Sequence, residues 1–88
     1  MPRYLIEREV GDFDAQDIVA QGKAFAQLAD SMEGIAWIRS YLSETEGKVY
    51  CEYDAPSAEA IRNHAEIAGI PVTRISLVTI EIEPAMFR

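Results

Sequence analysis

The residues with the greatest chemical potential in this sequence are its single histidine, His64, and its single cysteine, Cys51. On a helical wheel, His64 falls in the apolar stripe of a predicted helix, so its ring should point toward the sheet. A neutral imidazole in that place suits metal coordination or proton transfer, and equally a packed histidine that donates to a backbone carbonyl or a carboxylate. The preferred partners of His64 are Cys51 and Glu7, so these three residues are the candidate metal ligands.

Cys51 lies in the middle of a predicted strand, from which its thiol could approach His64. A cysteine and a histidine in contact would form a soft metal site or an activated thiolate, whereas a lone buried cysteine acts as a small hydrophobe. The sequence has no CxxC, HExxH or GxGxxG pattern, and its carboxylates lack EF-hand spacing. Ser40 lacks the context of a nucleophile elbow. No set of nucleophile, base and orienting residue is visible, so no reaction can be named.

The elements that must position these residues follow from apolar periodicity and from turn residues. Ser57 is the predicted cap of the second helix, and Gly69 ends that helix. The order strand, helix, strand, strand, helix, strand is the ferredoxin-like arrangement of the α+β class, in a single domain over residues 1–88. Right-handed connections place both helices on one face of an antiparallel sheet. The predicted strands are 3–10, 35–43, 48–54 and 73–83, and the predicted helices are 15–32 and 57–68.

The face of the sheet without helices should be polar in a monomer, but here it is predicted to be apolar and aromatic. Strict alternation along the second strand puts Trp37, Arg39 and Tyr41 on that face. Two compatible explanations are a homodimer in which two such faces meet, and a ligand pocket between the two sheets. In such a pocket an apolar ligand would stack near Trp37, with Arg39 and Glu7 as polar contacts. The predicted pocket residues are Glu7, Trp37, Arg39, Tyr41, Tyr50 and Glu52.

Composition narrows the classes of partner. The chain has 88 residues, of which 49% are hydrophobic, and its 8 basic and 15 acidic residues give a formal net charge of −7. This charge argues against binding to nucleic acid and against docking on an anionic membrane. One cysteine permits no intrachain disulfide, the first residues form no signal peptide, and no stretch approaches the roughly 18 apolar residues of a membrane helix. We therefore expect a cytoplasmic protein.

Four segments together resemble a known family of small proteins. The segments are Tyr4-Leu5-Ile6-Glu7-Arg8, Trp37-Ile38-Arg39-Ser40-Tyr41, Val49-Tyr50-Cys51-Glu52-Tyr53-Asp54-Ala55-Pro56 and Ile61-Arg62-Asn63-His64-Ala65-Glu66-Ile67-Ala68-Gly69-Ile70-Pro71. In order and over nearly the whole chain, they resemble small ferredoxin-like proteins grouped as a domain of unknown function, some of which are described as nickel-binding. The resemblance implies a ferredoxin-like fold, a homodimer formed through the sheet, and a role with divalent metal.

The resemblance also bears on the ligand set. Nickel-type members tend to carry one histidine in the first strand and another just before the glycine that ends the second helix. In this chain those places hold Glu7-Arg8 and Ala68. His64 and Cys51 are then the remaining soft ligands, although nickel and copper sites usually recruit more nitrogen or sulfur donors.

Three functions stay open at this point. The first is binding or buffering of a divalent transition metal such as Ni²⁺, with His64, Cys51 and nearby carboxylates as ligands. The second is a small-molecule binding module or a cofactor-free enzyme of the dimeric α/β-barrel type, with a pocket near Trp37. The third is a dimeric structural domain that acts through a partner protein.

Overall fold

In the computed structural model, which describes all 88 residues, four strands form one antiparallel sheet in the order β2-β3-β1-β4. The α+β class and the antiparallel sheet predicted from the sequence are therefore confirmed, and the strand order agrees with the ferredoxin-like arrangement. The elements are β1 (Arg3–Glu9), α1 (Ala15–Ala20), α2 (Gly22–Ser31), β2 (Ala36–Ser43), β3 (Lys48–Asp54), α3 (Ala58–Ala68), β4 (Arg74–Leu77) and a 3₁₀ turn (Pro84–Phe87).

The two central strands alternate between a buried and a more exposed face. The buried set, which we call the helix-side face, consists of Tyr4, Ile6 and Arg8 of β1 and Val49, Cys51 and Tyr53 of β3. The opposite set, which we call the outer face, consists of Arg3, Leu5, Glu7 and Glu9 of β1 and Lys48, Tyr50, Glu52 and Asp54 of β3. Ile61 of α3 is fully buried and belongs to the same core cluster as Ile6. The core therefore lies between α3 and the helix-side face.

The first predicted helix is in fact two helices that meet at Gln21. The side chain of Asp14 accepts a hydrogen bond from the backbone of Gln16 and caps α1. Gln21 has φ −91° and ψ −3°, and α2 starts at the glycine that follows it. Glycine in a helix interior costs about 1 kcal/mol relative to alanine, so a break at Gly22 is inexpensive.

The second predicted helix, α3, begins and ends where its capping residues place it. The Ser57 hydroxyl accepts from the backbone N–H of Ala60 at 3.1 Å. Gly69 closes the helix with φ 70°, a left-handed conformation that glycine adopts without steric cost. The inward-facing residues of α3 include His64, in agreement with the direction predicted by the helical wheel.

The last strand is much shorter than predicted because its partner ends. Leu77 pairs with Tyr4 near the start of β1, and the N–H of Val78 donates to the carbonyl of Arg3 at 2.8 Å. Because the two strands are antiparallel, residues after Val78 lie beyond the first residue of β1 and have no strand to pair with. Ile80, predicted to lie in the strand, is 73% exposed.

None of the helices has the length and apolarity that a membrane crossing requires. The cytoplasmic location expected from the composition stays a prediction.

Candidate functional site

A β-bulge in β2 decides on which face Trp37 lies. Trp37 pairs with Tyr53, whereas the next pair is Arg39 with Glu52, so Ile38 is an extra residue in β2. An extra residue inverts the alternation of side chains beyond it. Because Tyr53 belongs to the helix-side face, Trp37 lies on that face as well, while Arg39 remains on the outer face.

The structure therefore brings five of the six predicted pocket residues to one face and separates Trp37 from them. Strict alternation put Trp37 on the helix-free face, and this placement is corrected by the bulge. The outer face holds the other five predicted pocket residues, Glu7, Arg39, Tyr41, Tyr50 and Glu52.

Several charged groups on the outer face are paired with one another. The Arg3 guanidinium donates to Asp54 at 2.6 Å and lies 3.4 Å from Glu52. Glu52 also accepts from the Tyr41 hydroxyl at 3.1 Å and lies 3.8 Å from Arg39. The hydrogen bond from Arg3 lowers the pKa of Asp54 below its ordinary value. These carboxylates already have cationic partners within the chain.

A cavity of about 350 Å³ lies between the helices and the helix-side face. Of its 16 lining residues, 12 are hydrophobic, and Trp37, Phe25 and Tyr53 supply aromatic walls. No acidic residue lines it; the exceptions to its hydrophobic lining are Arg8, Gly22, Ser40 and His64. Its size falls in the range of small-molecule binding sites, and its mixture of apolar walls with a few polar groups is typical of them.

A chain of hydrogen bonds crosses the sheet along this cavity. The indole N–H of Trp37 donates to Ser40 Oγ at 2.9 Å, and the Ser40 hydroxyl donates to Cys51 Sγ at 3.0 Å. From the other side, Arg8 Nε donates to the same sulfur at 3.5 Å. Sulfur is a weak acceptor, so these bonds orient the side chains more than they stabilise the fold.

Arg8 is a buried cation without a carboxylate partner. Its side chain is on the helix-side face, with the residue only 3% exposed. Nη1 donates to the carbonyl of Pro71 at 2.9 Å, and the guanidinium carbon lies 5.9 Å from the Tyr53 ring centroid. Nη2 has no hydrogen-bond partner, and the ion pairs of the structure involve Arg3, Arg39 and Lys48 but not Arg8. A guanidinium stays charged, so its burial without a counter-ion is costly.

His64 lies in the same cavity wall with both of its ring nitrogens unpartnered. The residue is 3% exposed, and its ring centroid is 5.3 Å from that of Tyr53. Burial first, and the charge of Arg8 second, lower the pKa of His64 below its ordinary value. The imidazole is therefore neutral at pH 7 and offers one N–H donor and one nitrogen acceptor.

The residues predicted as metal ligands are only partly brought together. His64 and Cys51 line one cavity, but Glu7 projects from the outer face, 3.9 Å from the ammonium of Lys48. The reason is the alternation of β1, which sends Glu7 and its neighbour Arg8 to opposite faces. No group of three or more His, Cys, Asp or Glu residues is placed to hold a metal ion. With the Arg8 guanidinium beside Cys51, these residues do not fit a closed divalent-metal centre within one chain.

Sequence reasoning missed Arg8 and Ser40 as cavity residues. The signal for Arg8 was present, because it follows Tyr4 and Ile6 at the same parity of β1 and so occupies an apolar-face position. Ser40 gave no such signal, since serine is common on either face of a strand.

Solved structures share the fold of this chain. The crystal structure of SCO4226 from Streptomyces coelicolor A3(2) matches with a TM-score of 0.78 and 20% identity, over 91% of this chain and 99% of that one. A structural-genomics structure of protein YJCS matches with a TM-score of 0.58 and 16% identity, over 92% and 100% of the two chains. The structure of Rv0793 from Mycobacterium tuberculosis matches with a TM-score of 0.51 and 18% identity, over 96% and 99%.

The family is shown by a match over most of the chain. No curated protein matches the sequence. Residues 4–78 match the family described as "Nickel responsive protein SCO4226-like". This match confirms the resemblance to a small family with a nickel association that the four sequence segments indicated. The chain belongs to the SCO4226-like family of nickel responsive proteins.

Proposed function

We propose that this protein binds a small, mainly apolar molecule in the cavity between its helices and its sheet. The observation that carries the proposal is the cavity of about 350 Å³, whose mostly hydrophobic wall contains polar atoms without partners. This is the small-molecule binding module considered from the sequence. Trp37 remains part of the site, but the site is on the helix side of the sheet.

The size of the space supports a ligand rather than a packing defect. The cavity is open to solvent on one side, and its volume lies within the range of concave sites that hold small ligands. A cavity of about 150 Å³ accommodates benzene, so this one has room for on the order of a dozen non-hydrogen atoms.

The cavity has a route to solvent beside α1. Val19 lines the cavity and is nevertheless 63% exposed, so it marks the mouth. No residue of α1 is buried, which means that this short helix is held by few core contacts. A helix held in this way can move at low cost when a ligand enters.

The test uses propylbenzene as a neutral probe. Because Trp37 is the only tryptophan and lines the cavity, its fluorescence reports occupancy directly. We expect the probe to change the Trp37 emission and to raise the thermal midpoint of unfolding.

Two phenylalanine substitutions, each at an alanine, locate the binding site. Ala68→Phe fills part of the cavity from α3 and should abolish both responses. Ala20→Phe adds the same ring at an exposed position of α1 outside the cavity lining and should leave them unchanged. A wild-type protein that shows no response, or a response that Ala68→Phe leaves intact, would contradict the proposal.

The second candidate function is binding or buffering of a divalent transition metal, nickel first. Membership of the nickel responsive family supports it, as do the two soft donors His64 and Cys51 on one cavity wall. The presence of only two soft donors, fewer than nickel sites usually have, argues against this function. Calorimetric titration of chelator-stripped protein with Ni²⁺ tests this function, with His64→Ala as the comparison. Binding that His64→Ala abolishes while the fold is retained would support a metal role, and absence of binding by the wild-type protein would end it.

We also propose that the outer face and the chain beyond β4 are covered by a second copy of the protein. Leu5 and Tyr41 are exposed on the outer face, and Ile80 and Ile82 are exposed on a segment after β4 that belongs to no helix or strand. Because β4 is an edge strand of the sheet, exposed apolar side chains beside it favour association with another chain. Sedimentation at micromolar concentration should give a dimer, and Ile80→Lys with Ile82→Lys should give a monomer. A wild-type monomer would reject this assembly.

A further inference from the structure

We propose that the molecule held in the cavity is a monocarboxylic acid, whose carboxylate accepts hydrogen bonds from Arg8 and whose apolar body fills the remaining space. This inference rests on the proposed small-molecule binding function and names the class of ligand.

The charge of the cavity wall favours an anionic ligand. Arg8 brings one positive charge into the cavity wall, and no acidic residue lines that wall to balance it. Burial of an unpaired ion is expensive, and the cost falls when an opposite charge enters with its hydrogen bonds satisfied. A ligand with one negative charge would complete the site.

The unpartnered polar atoms of the cavity wall favour a ligand that forms hydrogen bonds with them. Arg8 Nη2 and both ring nitrogens of His64 are buried without hydrogen-bond partners, and both side chains line the same cavity. Buried polar groups are almost always hydrogen-bonded, so three unsatisfied atoms at one cavity point to a missing partner. A carboxylate can accept from Arg8 Nη2 through one oxygen and from a neutral His64 N–H through the other.

The balance of charges selects a monoanion over other polar ligands. A phosphate monoester carries close to two negative charges, and the neutral His64 leaves Arg8 as the single cation of the wall. A zwitterion such as an amino acid would add an ammonium group for which the wall has no carboxylate. A divalent cation would add positive charge beside the guanidinium.

The hydrophobic lining of the cavity indicates which apolar group the ligand carries. Away from Arg8 and His64 the lining is hydrophobic, and the rings of Phe25 and Trp37 offer faces for an aromatic or a short aliphatic group. Together with the volume, this describes an acid such as hydrocinnamate.

The experiment compares hydrocinnamate with its amide, hydrocinnamamide, by calorimetry. The two probes have the same number of non-hydrogen atoms and differ in charge. The wild-type protein should bind the carboxylate at least about tenfold more tightly than the amide, the factor expected of one charged hydrogen bond. Arg8→Met should remove this preference and keep the affinity for the amide. Arg39→Met removes the same side chain from the outer face and should retain the full preference.

A second measurement keeps the proposal testable if Arg8→Met does not fold. In the wild-type complex, the carboxyl pKa of bound hydrocinnamate, followed by NMR, should lie below that of the free acid, because Arg8 stabilises the anion. Equal binding of acid and amide, a preference that survives Arg8→Met, or an unshifted carboxyl pKa would overturn the monocarboxylate assignment. Binding of propylbenzene would then still support the small-molecule function, whereas failure of every probe to bind would overturn both.

Discussion

The two faces of the sheet differ in the partners of their charged side chains, and adjacent residues of β1 show the contrast. Glu7, on the outer face, lies 3.9 Å from the ammonium of Lys48 and is half-buried. Arg8, on the helix-side face, is buried and has no carboxylate within reach. A partnered surface charge contributes little to stability, whereas an unpartnered buried charge is a cost to the folded state. Glu7 therefore has a cationic partner within the chain, whereas Arg8 has no anionic partner within the chain.

Truncation of neighbouring side chains on β1 should give the largest contrast between the faces. Ile6→Ala opens a cavity at a fully buried position and should lower the free energy of unfolding by about 2–5 kcal/mol. Leu5→Ala alters a side chain that is 46% exposed and should cost under about 1 kcal/mol. Denaturant unfolding at low protein concentration measures both. Equal costs would show that the outer face is buried as deeply as the core.

Removal of the buried cation should stabilise the ligand-free protein. Arg8→Met replaces an unpaired buried charge with an apolar side chain and should raise the free energy of unfolding by roughly 1–3 kcal/mol. Arg39→Met, on the outer face, should change it by under about 0.5 kcal/mol. Thermal and denaturant unfolding of the two variants check this pair. Destabilisation by Arg8→Met would mean that the bonds of Arg8 to Pro71 and Cys51 outweigh the cost of its burial.

The pH dependence of stability should carry the signature of His64. Its pKa is lowered in the folded state, mainly by burial and then by Arg8, so the unfolded chain binds the proton more readily. Stability should therefore be greatest above the unfolded histidine pKa of about 6.5 and should fall as the pH drops below it. Burial raises the pKa of Tyr53, whose ring packs against His64, so Tyr53 does not titrate in this window. His64→Gln should flatten the profile between about pH 7.5 and 5.5, because His64 is the only histidine.

The smallest effect is expected at the ion pair between Arg3 and Asp54 on the outer face. Arg3 lowers the pKa of Asp54, so the stability it contributes is present above the ordinary aspartate pKa and is lost as the pH falls through the lowered value. Asp54→Asn should lower the thermal midpoint only slightly at neutral pH, and high salt should shrink the difference further. A large effect that salt does not screen would mean that this pair is shielded from water, as it would be beneath a second copy.

Local signals in the sequence predicted the elements whose limits depend on nearby residues. The N-cap Ser57 and the left-handed Gly69 set the ends of α3, and both are recognisable within a few residues of sequence. The apolar stripe of α3 likewise predicted that His64 would face inward. Two elements differ from prediction. The first helix breaks at Gln21 because Gly22 is a weak helix former, which is a local cause. β4 is shorter than predicted because its partner β1 extends no further, and this cause lies in a distant segment of the chain.

The candidate site was less predictable because it depends on contacts between distant segments. Alternation along β2 fails at Ile38, and the bulge is defined only by the pairing of Trp37 and Arg39 with β3. One extra residue moved the tryptophan from a face shared with Arg39 to the cavity shared with His64. Cys51 and Glu7 were both offered as partners of His64, and the alternation of two strands separates them.

By itself, the sequence determined the α+β element order, the caps of α3 and the inward direction of His64, since each follows from propensities and periodicities within a few turns of chain. Only the tertiary structure decided that Arg8 is buried without a counter-ion, that Trp37 shares its cavity, and that the carboxylates lie elsewhere. The physical reason is that a side chain's charge is known from its type, but its partners depend on strand register, and register is established by pairing across the sheet.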